Sequence, residues 1–263
     1  MNRWKKVIQI ADHIFNLFIV VCFLPILLYG VYAIWDSGQL YQHADASVYE
    51  TYRPSKDDIS FEELKKINPE VFGWLTLYGT HIDYPLVQAT DNSKYVNTDV
   101  KGEFSLSGSI FLDCSNKNDF SDINNIIYGH HMQKDEMFGE LEYFDEKTYF
   151  DEHRYGQLYY DDEWHGIEFF AFLHADAYDP VLYNTEFQGN AGRQKYLNYV
   201  RENAKNFRKL NFEPDEHYVA LSTCTSSSTN GRHILVGRIT EKTAKNPFFR
   251  QTDSDRNKNI GEN

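Results

Sequence analysis

The apolar positions of the chain fall into three patterns, and each predicts a different kind of structure. From Ile14 to Ile34 the residues are apolar almost without a break, with Asn16 as the strongly polar exception. As a helix this segment would be about 31 Å long, which is roughly the thickness of the hydrocarbon layer of a bilayer. The pattern therefore predicts one N-terminal transmembrane helix.

From Val71 onward the apolar residues form short runs rich in Val, Ile, Tyr and Phe, separated by Gly, Asn and Asp. Short strands at close intervals are typical of a β-barrel or β-sandwich, so the chain is predicted to be mainly β. The clearest predicted strands are SGSIFLD, INNIIYG, GQLYYDD, GIEFFAFLHA, HYVALSTC and RHILVGRIT.

Helical spacing appears in two further segments. A short helix is predicted from Ser60 to about Ile67, because Ser60 and Glu63 fit a capping box. A second, amphipathic helix is predicted near residues 190–209, where apolar residues recur every three to four positions between charged ones. Its apolar positions are Tyr196, Leu197, Val200, Ala204 and Phe207.

These patterns divide the chain into four regions. Residues 1–35 form a basic tip and a membrane anchor, residues 36–57 a polar stalk without clear periodicity, residues 58–241 the β-rich domain, and residues 242–263 a polar tail. Arg3, Lys5 and Lys6 precede the apolar segment, which places the N-terminus in the cytoplasm and the β-rich domain outside the cell. A cleaved signal peptide ending at Val31-Tyr32-Ala33 is the alternative, but the apolar run exceeds the ~7–15 residues of a signal core.

Charge and motif content exclude several kinds of site. The net charge is −13 and no long basic stripe lies beyond the N-terminus, so a nucleic-acid partner is not expected. Zinc-binding spacings such as HExxH and CxxC are absent, and the acidic clusters do not match a calcium loop. We therefore expect no metal and no cofactor.

Cysteine and histidine supply the candidate chemistry. Cys224 ends a predicted strand and enters the loop TSSSTNG, where a substrate can reach its thiol. His130 and His131 directly follow another predicted strand, and Arg232 begins the last one. A histidine can act as an acid or base, and a guanidinium can hold an oxyanion. Each residue also has an ordinary structural interpretation, and a disulfide between Cys114 and Cys224 stays possible.

The motifs around these residues resemble those of the sortases, specifically class B. ALSTC followed by NGRHILVGR, with IIYGHHMQKDEMFGEL upstream, occurs in the family's order, and the similarity runs from about Ser60 to Ile239. The family signature is TLxTC, in which Ala220 replaces the first Thr while Leu221, Thr223 and Cys224 match. The resemblance implies a closed eight-stranded β-barrel with an N-terminal helix and an extra amphipathic helix before the penultimate strand.

The resemblance also implies roles for particular residues. Cys224 matches the family's nucleophile, His130 its catalytic histidine and Arg232 its arginine, whereas His131 matches no required position. Residues that match the sorting-signal groove of class B are Asn92, Tyr128, Ser222 and Thr223.

The implied function is that of a membrane-anchored cysteine transpeptidase on the outer face of a Gram-positive cell. Such an enzyme cleaves a C-terminal sorting signal after its Thr and joins the secreted protein to a peptidoglycan amine. The expected signal is of the NPxTN or [SNP]PxTG kind, and the sequence does not choose between them.

Three alternatives stay open. A class C pilin-polymerising sortase usually carries an Asp-Pro-aromatic lid ahead of the barrel, and Asp179-Pro180 lies late in the chain and precedes Val181. A papain-like cysteine peptidase or cell-wall amidase usually has its cysteine at a helix N-terminus with the histidine downstream. An anchored surface binding module would use Cys224 only structurally.

Overall fold

The computed structural model describes residues 2–55, 59–225 and 229–249. Contacts between residues divide the chain into two compact units, Met1–Gln42 and His43–Asn263, and each is described by itself. Helix α1 runs from Asn2 to Ala44 and includes the predicted anchor. Within the described residues, the segment Trp4–Trp35 is the one helical stretch long and apolar enough to cross a membrane, judged by length and composition.

Part of the segment expected to be a stalk is helical. Helix α1 continues to Ala44, and Ala46–Tyr52 form a 3-10 helix whose first turn is capped by the Asp45 side chain. Tyr49 is buried, and the hydroxyl of Tyr84 donates to the carbonyl oxygen of Ala44 at 2.8 Å. The segment has too few apolar residues to show a helical repeat, so the spacing of apolar positions in the sequence did not predict this packing.

The β-rich domain is a closed mixed barrel, as expected. Nine described strands form one sheet in the order β5-β1-β2-β3-β4-β8-β9-β6-β7, and an additional pairing between β5 and β6 closes eight of them into a ring. The two-residue strand β7 extends this ring as an added edge on β6. The strands are β1 Val71–Leu77, β2 Asp83–Val87, β3 Ile110–Leu112, β4 Asn124–Tyr128, β5 Tyr155–Tyr160, β6 Glu163–Asp176, β7 Asn206–Phe207, β8 Tyr218–Cys224 and β9 Gly231–Thr240.

Strand direction determines which residues meet at one end of the barrel. β4 and β8 are parallel neighbours, so their carboxyl ends lie at the same edge of the sheet. β9 runs antiparallel to β8, so it begins where β8 ends. The ends of β4 and β8 and the start of β9 therefore lie side by side.

Both faces of this part of the sheet are buried, against two different cores. Val219 and Leu221 of β8 face the barrel interior, whereas Tyr218 and Ala220 face a second cluster outside the barrel. This alternation follows from the two-residue period of a strand. It explains why β8 reads as a nearly continuous apolar run in the sequence.

The outer cluster is covered by helix α4, Gly189–Asn203, which matches the predicted amphipathic helix. Tyr196, Leu197 and Val200 form its buried face. The helix ends earlier than predicted, because the chain becomes extended at Ala204 and Phe207 pairs with β6 in strand β7. Tertiary pairing therefore overrides the helical spacing of Ala204 and Phe207.

The remaining helices are short. Helix α2 is Ile59–Ile67, so Ser60 lies inside its first turn and not at the predicted capping position. Helix α3 is Lys147–Glu152, and the 3-10 helix Gly139–Asp145 precedes it.

The predicted polar tail contacts the β-rich domain through Phe248. Phe248 stacks on the ring of His153 with 4.8 Å between centroids. Residues 250–263 of the predicted tail lie outside the described residues.

Candidate active site

Three strand ends bring His130, Cys224 and Arg232 together. Tyr128 of β4 pairs with Ser222 of β8, and the amide of Gly129 donates to the carbonyl oxygen of Ser222 at 3.2 Å. His130 is two residues beyond Tyr128, so it lies level with Cys224, which is two residues beyond Ser222. The parallel register thus brings an imidazole and a thiol to the same edge of the sheet.

Arg232 lies directly across from Cys224. The two residues are cross-strand partners, and beyond them the amide of Thr225 donates to the carbonyl oxygen of Gly231 at 3.0 Å. Cys224 and Arg232 therefore form a non-hydrogen-bonded pair, the kind whose Cα atoms approach to about 4.5 Å. Cys224 is exposed, so its thiol and the guanidinium can act on the same ligand.

A cleft of about 420 Å³ opens at this edge of the barrel. All seven predicted site residues line it, together with five residues that the sequence did not single out. The predicted ones are Asn92, Tyr128, His130, Ser222, Thr223, Cys224 and Arg232, and the others are Val96, Phe111, Gly129, Ala177 and Tyr183.

The His130 ring is oriented by a backbone contact. Its Nε2 atom lies 2.8 Å from the carbonyl oxygen of Val96. A carbonyl oxygen only accepts hydrogen bonds, so Nε2 must carry a hydrogen and donate it. Nδ1 is then the nitrogen that can gain or lose a proton during a reaction.

The Arg232 side chain is only partly used by the protein. Its Nη1 atom donates to the carbonyl oxygen of Gly231 at 2.8 Å and, more weakly, to that of Thr229 at 3.4 Å. A guanidinium has five N–H donors, so further donors are available to a ligand. The three side chains thus offer a nucleophile, a proton carrier and a positive charge around one space.

Ser222 and Thr223 line the cleft in different ways. The hydroxyls of Ser222 and Tyr183 lie 2.7 Å apart, and the Tyr183 ring stacks parallel to Tyr128 at 6.3 Å. Burial raises the pKa of Tyr183, so this hydroxyl stays protonated at neutral pH. Thr223 is paired with His233, and its hydroxyl is buried without a hydrogen-bond partner in the described residues. Its hydroxyl is therefore not exposed to a ligand in the cleft.

Tyr183 is the lining residue that sequence reasoning missed most clearly. It lies between β6 and α4, in a segment without periodicity, and only the folded chain places it beside Tyr128. No spacing in the sequence connects these two tyrosines.

His131, the neighbour of His130, lies apart from the cleft lining. Its Nε2 atom is 3.6 Å from a carboxylate oxygen of Glu142, and its Nδ1 atom is buried without a partner in the described residues. The sequence contains two adjacent candidate histidines, and in the structure His130 is the one that lines the cleft.

Potential metal ligands and the remaining cysteines lie elsewhere. In the described part of the chain, one group of three side chains, His81, Asp135 and Glu140, brings possible ligand atoms within 4.8 Å of one another, and none of them lines the cleft. His81 and Glu140 already contact each other, which links the β1–β2 turn to the 3-10 helix Gly139–Asp145. Cys22, Cys114 and Cys224 are free thiols, so the disulfide left open by the sequence does not form.

Comparisons with known proteins relate the chain to one family. No family model matches the chain. A class B sortase of Streptococcus pyogenes involved in pilus biogenesis is 40% identical, with a TM-score of 0.63, and the match covers 69% of this chain and 98% of that one. The sortase B from the type II pilus of Streptococcus pneumoniae is 42% identical, with a TM-score of 0.61, covering 69% and 99%.

The chain belongs to the sortase family. Sortase B of Listeria monocytogenes is 29% identical over 216 residues, which are 80% of this chain and 85% of that protein. Sortases are cysteine transpeptidases, and this sortase has the closed mixed barrel and the free cysteine at a strand end that such an enzyme needs.

Proposed function

We propose that the protein is a class B sortase in which Cys224, His130 and Arg232 carry out the transpeptidation. The main support for the proposal is that Cys224 and Arg232 are cross-strand partners and that both line a cleft with His130. The amphipathic helix α4 ahead of β8 and the pilus-linked class B relatives support the assignment to class B.

In the first half of the reaction the Cys224 thiolate attacks the carbonyl carbon of the Thr in a sorting signal. Negative charge develops on the carbonyl oxygen, and the guanidinium of Arg232 holds it through donors that the protein does not use. The C–N bond breaks, and protonated His130 gives its Nδ1 proton to the leaving amine. The product is a thioester between Cys224 and the Thr carbonyl.

In the second half an acceptor amine attacks the thioester. Neutral His130 takes a proton from the amine through Nδ1, the new amide bond forms, and the Cys224 thiolate leaves. The enzyme returns to its starting state with the thiolate and imidazolium regenerated. No external oxidant, reductant or metal is needed for either half.

The proposed substrates are secreted proteins that carry an NPxTN or [SNP]PxTG signal, and the proposed acceptor is a peptidoglycan amine. The cleft supports a short extended peptide, since its walls combine aromatic rings with hydroxyl, amide and guanidinium groups. Two relatives of 40% and 42% identity are connected with pili, which favours a pilin amine as a second candidate acceptor.

The proposed location is the outer face of the cell membrane. The Trp4–Trp35 segment would anchor the chain, and the preceding Arg3, Lys5 and Lys6 would keep the N-terminus in the cytoplasm. The barrel would then meet secreted proteins as they leave the membrane.

The proposal is tested by incubating the protein with fluorogenic peptides of both signal patterns, with and without an acceptor. The acceptors are a glycine-rich peptide amine, a diaminopimelate-containing stem peptide and a lysine-containing pilin peptide. We expect cleavage after Thr for one pattern and a covalent amide product with one acceptor. Cleavage at another bond, or cleavage that persists in the Cys224→Ala variant, would overturn the proposal.

A further inference from the structure

Asp113 is a buried carboxylate directly behind the wall of the cleft. It follows the last residue of β3 and is 7% exposed, and it is absent from the residues that line the cleft. Within the described residues no lysine or arginine pairs with it. A buried carboxylate without a cationic partner is costly unless hydrogen bonds stabilise it, so its contacts need an explanation.

The two oxygens of Asp113 have different partners. Oδ1 accepts a hydrogen bond from the backbone amide of Ser115 at 2.8 Å, an ordinary turn contact. Oδ2 accepts from Nδ2 of Asn92 and from the hydroxyl of Tyr128, both at 2.8 Å. Asn92 and Tyr128 both line the cleft. One oxygen of Asp113 therefore maintains the turn, and the other contacts only cleft residues.

A second contact holds the Asn92 amide in place. Its Oδ1 atom accepts a hydrogen bond from the backbone amide of Cys114 at 2.8 Å. With Nδ2 bound to Asp113 and Oδ1 bound to Cys114, the amide group is held at both ends. A rotation that exchanged the oxygen and the nitrogen would place two donors, or two acceptors, against each other.

These contacts determine which hydrogen-bonding groups the cleft wall presents. The single hydroxyl hydrogen of Tyr128 is directed at Asp113, so its oxygen can only accept from a substrate. Burial and the charge of Asp113 raise the pKa of Tyr128, which keeps the hydroxyl protonated. Nδ2 of Asn92 uses one hydrogen on Asp113 and keeps one to donate.

We propose that Asp113 is a positioning residue that fixes Asn92 and Tyr128 as one side of the substrate groove. A substrate group bound at this side must therefore donate a hydrogen bond to the hydroxyl oxygen of Tyr128 and accept one from Nδ2 of Asn92. A peptide or carboxamide group has both capacities, which matches the polypeptide substrate of a sortase. The inference rests on the proposed function, because it assigns the groove to the sorting signal.

An Asp113→Asn substitution tests this role with little change in size. The variant amide has one oxygen where the carboxylate has two, so it can accept from Asn92 and Tyr128 or from the Ser115 amide but not from both. In either orientation the negative charge that both groove contacts depend on is lost. With the peptide that the wild-type enzyme cleaves, we expect KM to rise about tenfold or more, as for the loss of one or two hydrogen bonds to a charged group. We expect kcat to stay within about twofold, since Cys224, His130 and Arg232 keep their strand positions.

The matched control is Asp122→Asn. Asp122 lies in the same β3–β4 connection and accepts from the amide of Lys117 at 2.8 Å and from Nδ2 of Asn116 at 3.0 Å, away from the cleft. The Asp122→Asn variant should lose stability through a similar loss of hydrogen bonds, but its KM should not rise. The rate at which a small alkylating reagent labels Cys224 should be unchanged in both variants.

A triple variant shows whether Asp113 acts through its two partners. In an Asn92→Ala, Tyr128→Phe background, adding Asp113→Asn should change KM no further. Should Asp113→Asn fail to fold, Asp113→Glu keeps the charge but displaces it by one methylene, and the same rise in KM is expected.

A wild-type KM in a folded Asp113 variant would overturn the inference while the proposed function stands. An equal rise in KM for Asp122→Asn, or slower Cys224 labelling in Asp113→Asn alone, would also overturn it, because either result indicates general disruption. If the wild-type chain cleaves neither signal pattern, the proposed function fails and this inference fails with it.

Discussion

At the scale of single residues, the proposed chemistry depends on where three strands begin or end. His130 leaves β4, Cys224 ends β8 and Arg232 begins β9, so residues up to about a hundred positions apart meet at one cleft. The residue types and their positions after apolar runs were visible in the sequence. The orientation of Thr223, the stacking of Tyr183 on Tyr128 and the contacts of Asp113 were not, because they depend on register and on loop paths.

The two adjacent histidines should differ sharply in their effect on catalysis. His130→Ala should lower the rate of peptide cleavage by at least about a hundredfold, the usual contribution of a general acid–base group. His131→Ala should lower it by less than about fivefold, because His131 lies beside Glu142 and does not line the cleft. Steady-state cleavage of a sorting peptide measures both, and equal losses would contradict the assignment of His130.

Two buried tyrosines give a matched test of packing at the residue scale. The hydroxyl of Tyr196 is buried without a partner in the described residues, so Tyr196→Phe should leave the free energy of unfolding unchanged or raise it by about 1 kcal/mol. The hydroxyl of Tyr84 donates to the carbonyl oxygen of Ala44 and accepts from the Met137 amide. Tyr84→Phe should therefore lower the free energy of unfolding by about 1–3 kcal/mol. Urea unfolding measures both, and the opposite order would contradict these contacts.

At the scale of elements, the spacing of apolar residues predicted the positions of the strands well and the ends of the helices poorly. β4, β8 and β9 appear where Val, Ile and Leu runs indicated them, because each is buried on one face or both. Helix α4 ends at Asn203, before its apolar spacing does, because Asn206 and Phe207 pair with β6. Pairing with a distant strand cannot be inferred from local spacing.

A group of histidines at one end of the barrel should make stability depend on pH. His233 of β9 pairs with Thr223 of β8 and His174 of β6. Burial, together with the nearby His174 and His131 and against the opposing effect of Asp145, lowers the pKa of His233 to about 4. In the unfolded chain the pKa of a histidine is about 6.5. Between about pH 4 and pH 6.5 the unfolded state therefore binds more protons than the folded state, so the free energy of unfolding rises with pH.

The contribution of His233 is therefore complete above about pH 6.5 and lost as the pH falls toward 4. A His233→Gln substitution should flatten the dependence of the free energy of unfolding on pH in this interval. Since His233 is only partly buried, we expect a change of about 1 kcal/mol per pH unit or less. Denaturant unfolding at pH 4.5, 5.5 and 6.5 measures the slope, and an unchanged slope would contradict a neutral His233 in the folded state.

At the scale of the whole molecule, the N-terminus and the barrel should lie on opposite sides of one membrane. The chain should fractionate with membranes and resist extraction by alkaline carbonate, because Trp4–Trp35 is long and apolar enough to span the bilayer. Protease added to intact cells should remove the barrel and leave an N-terminal epitope tag protected. Release of the barrel after Ala33 would instead indicate a cleaved signal peptide.

The proposed role of Cys224 as the nucleophile can be tested directly by the mass of the acyl-enzyme. The full chain is incubated with a sorting peptide without an acceptor amine, quenched in acid, digested and analysed by mass spectrometry. We expect the peptide, cut after its Thr, to be attached to Cys224 by a thioester that hydroxylamine releases. We expect no adduct in Cys224→Ala, whose melting temperature should stay within a few degrees of wild type. An adduct on another residue, or cleavage by folded Cys224→Ala, would show that Cys224 is not the nucleophile.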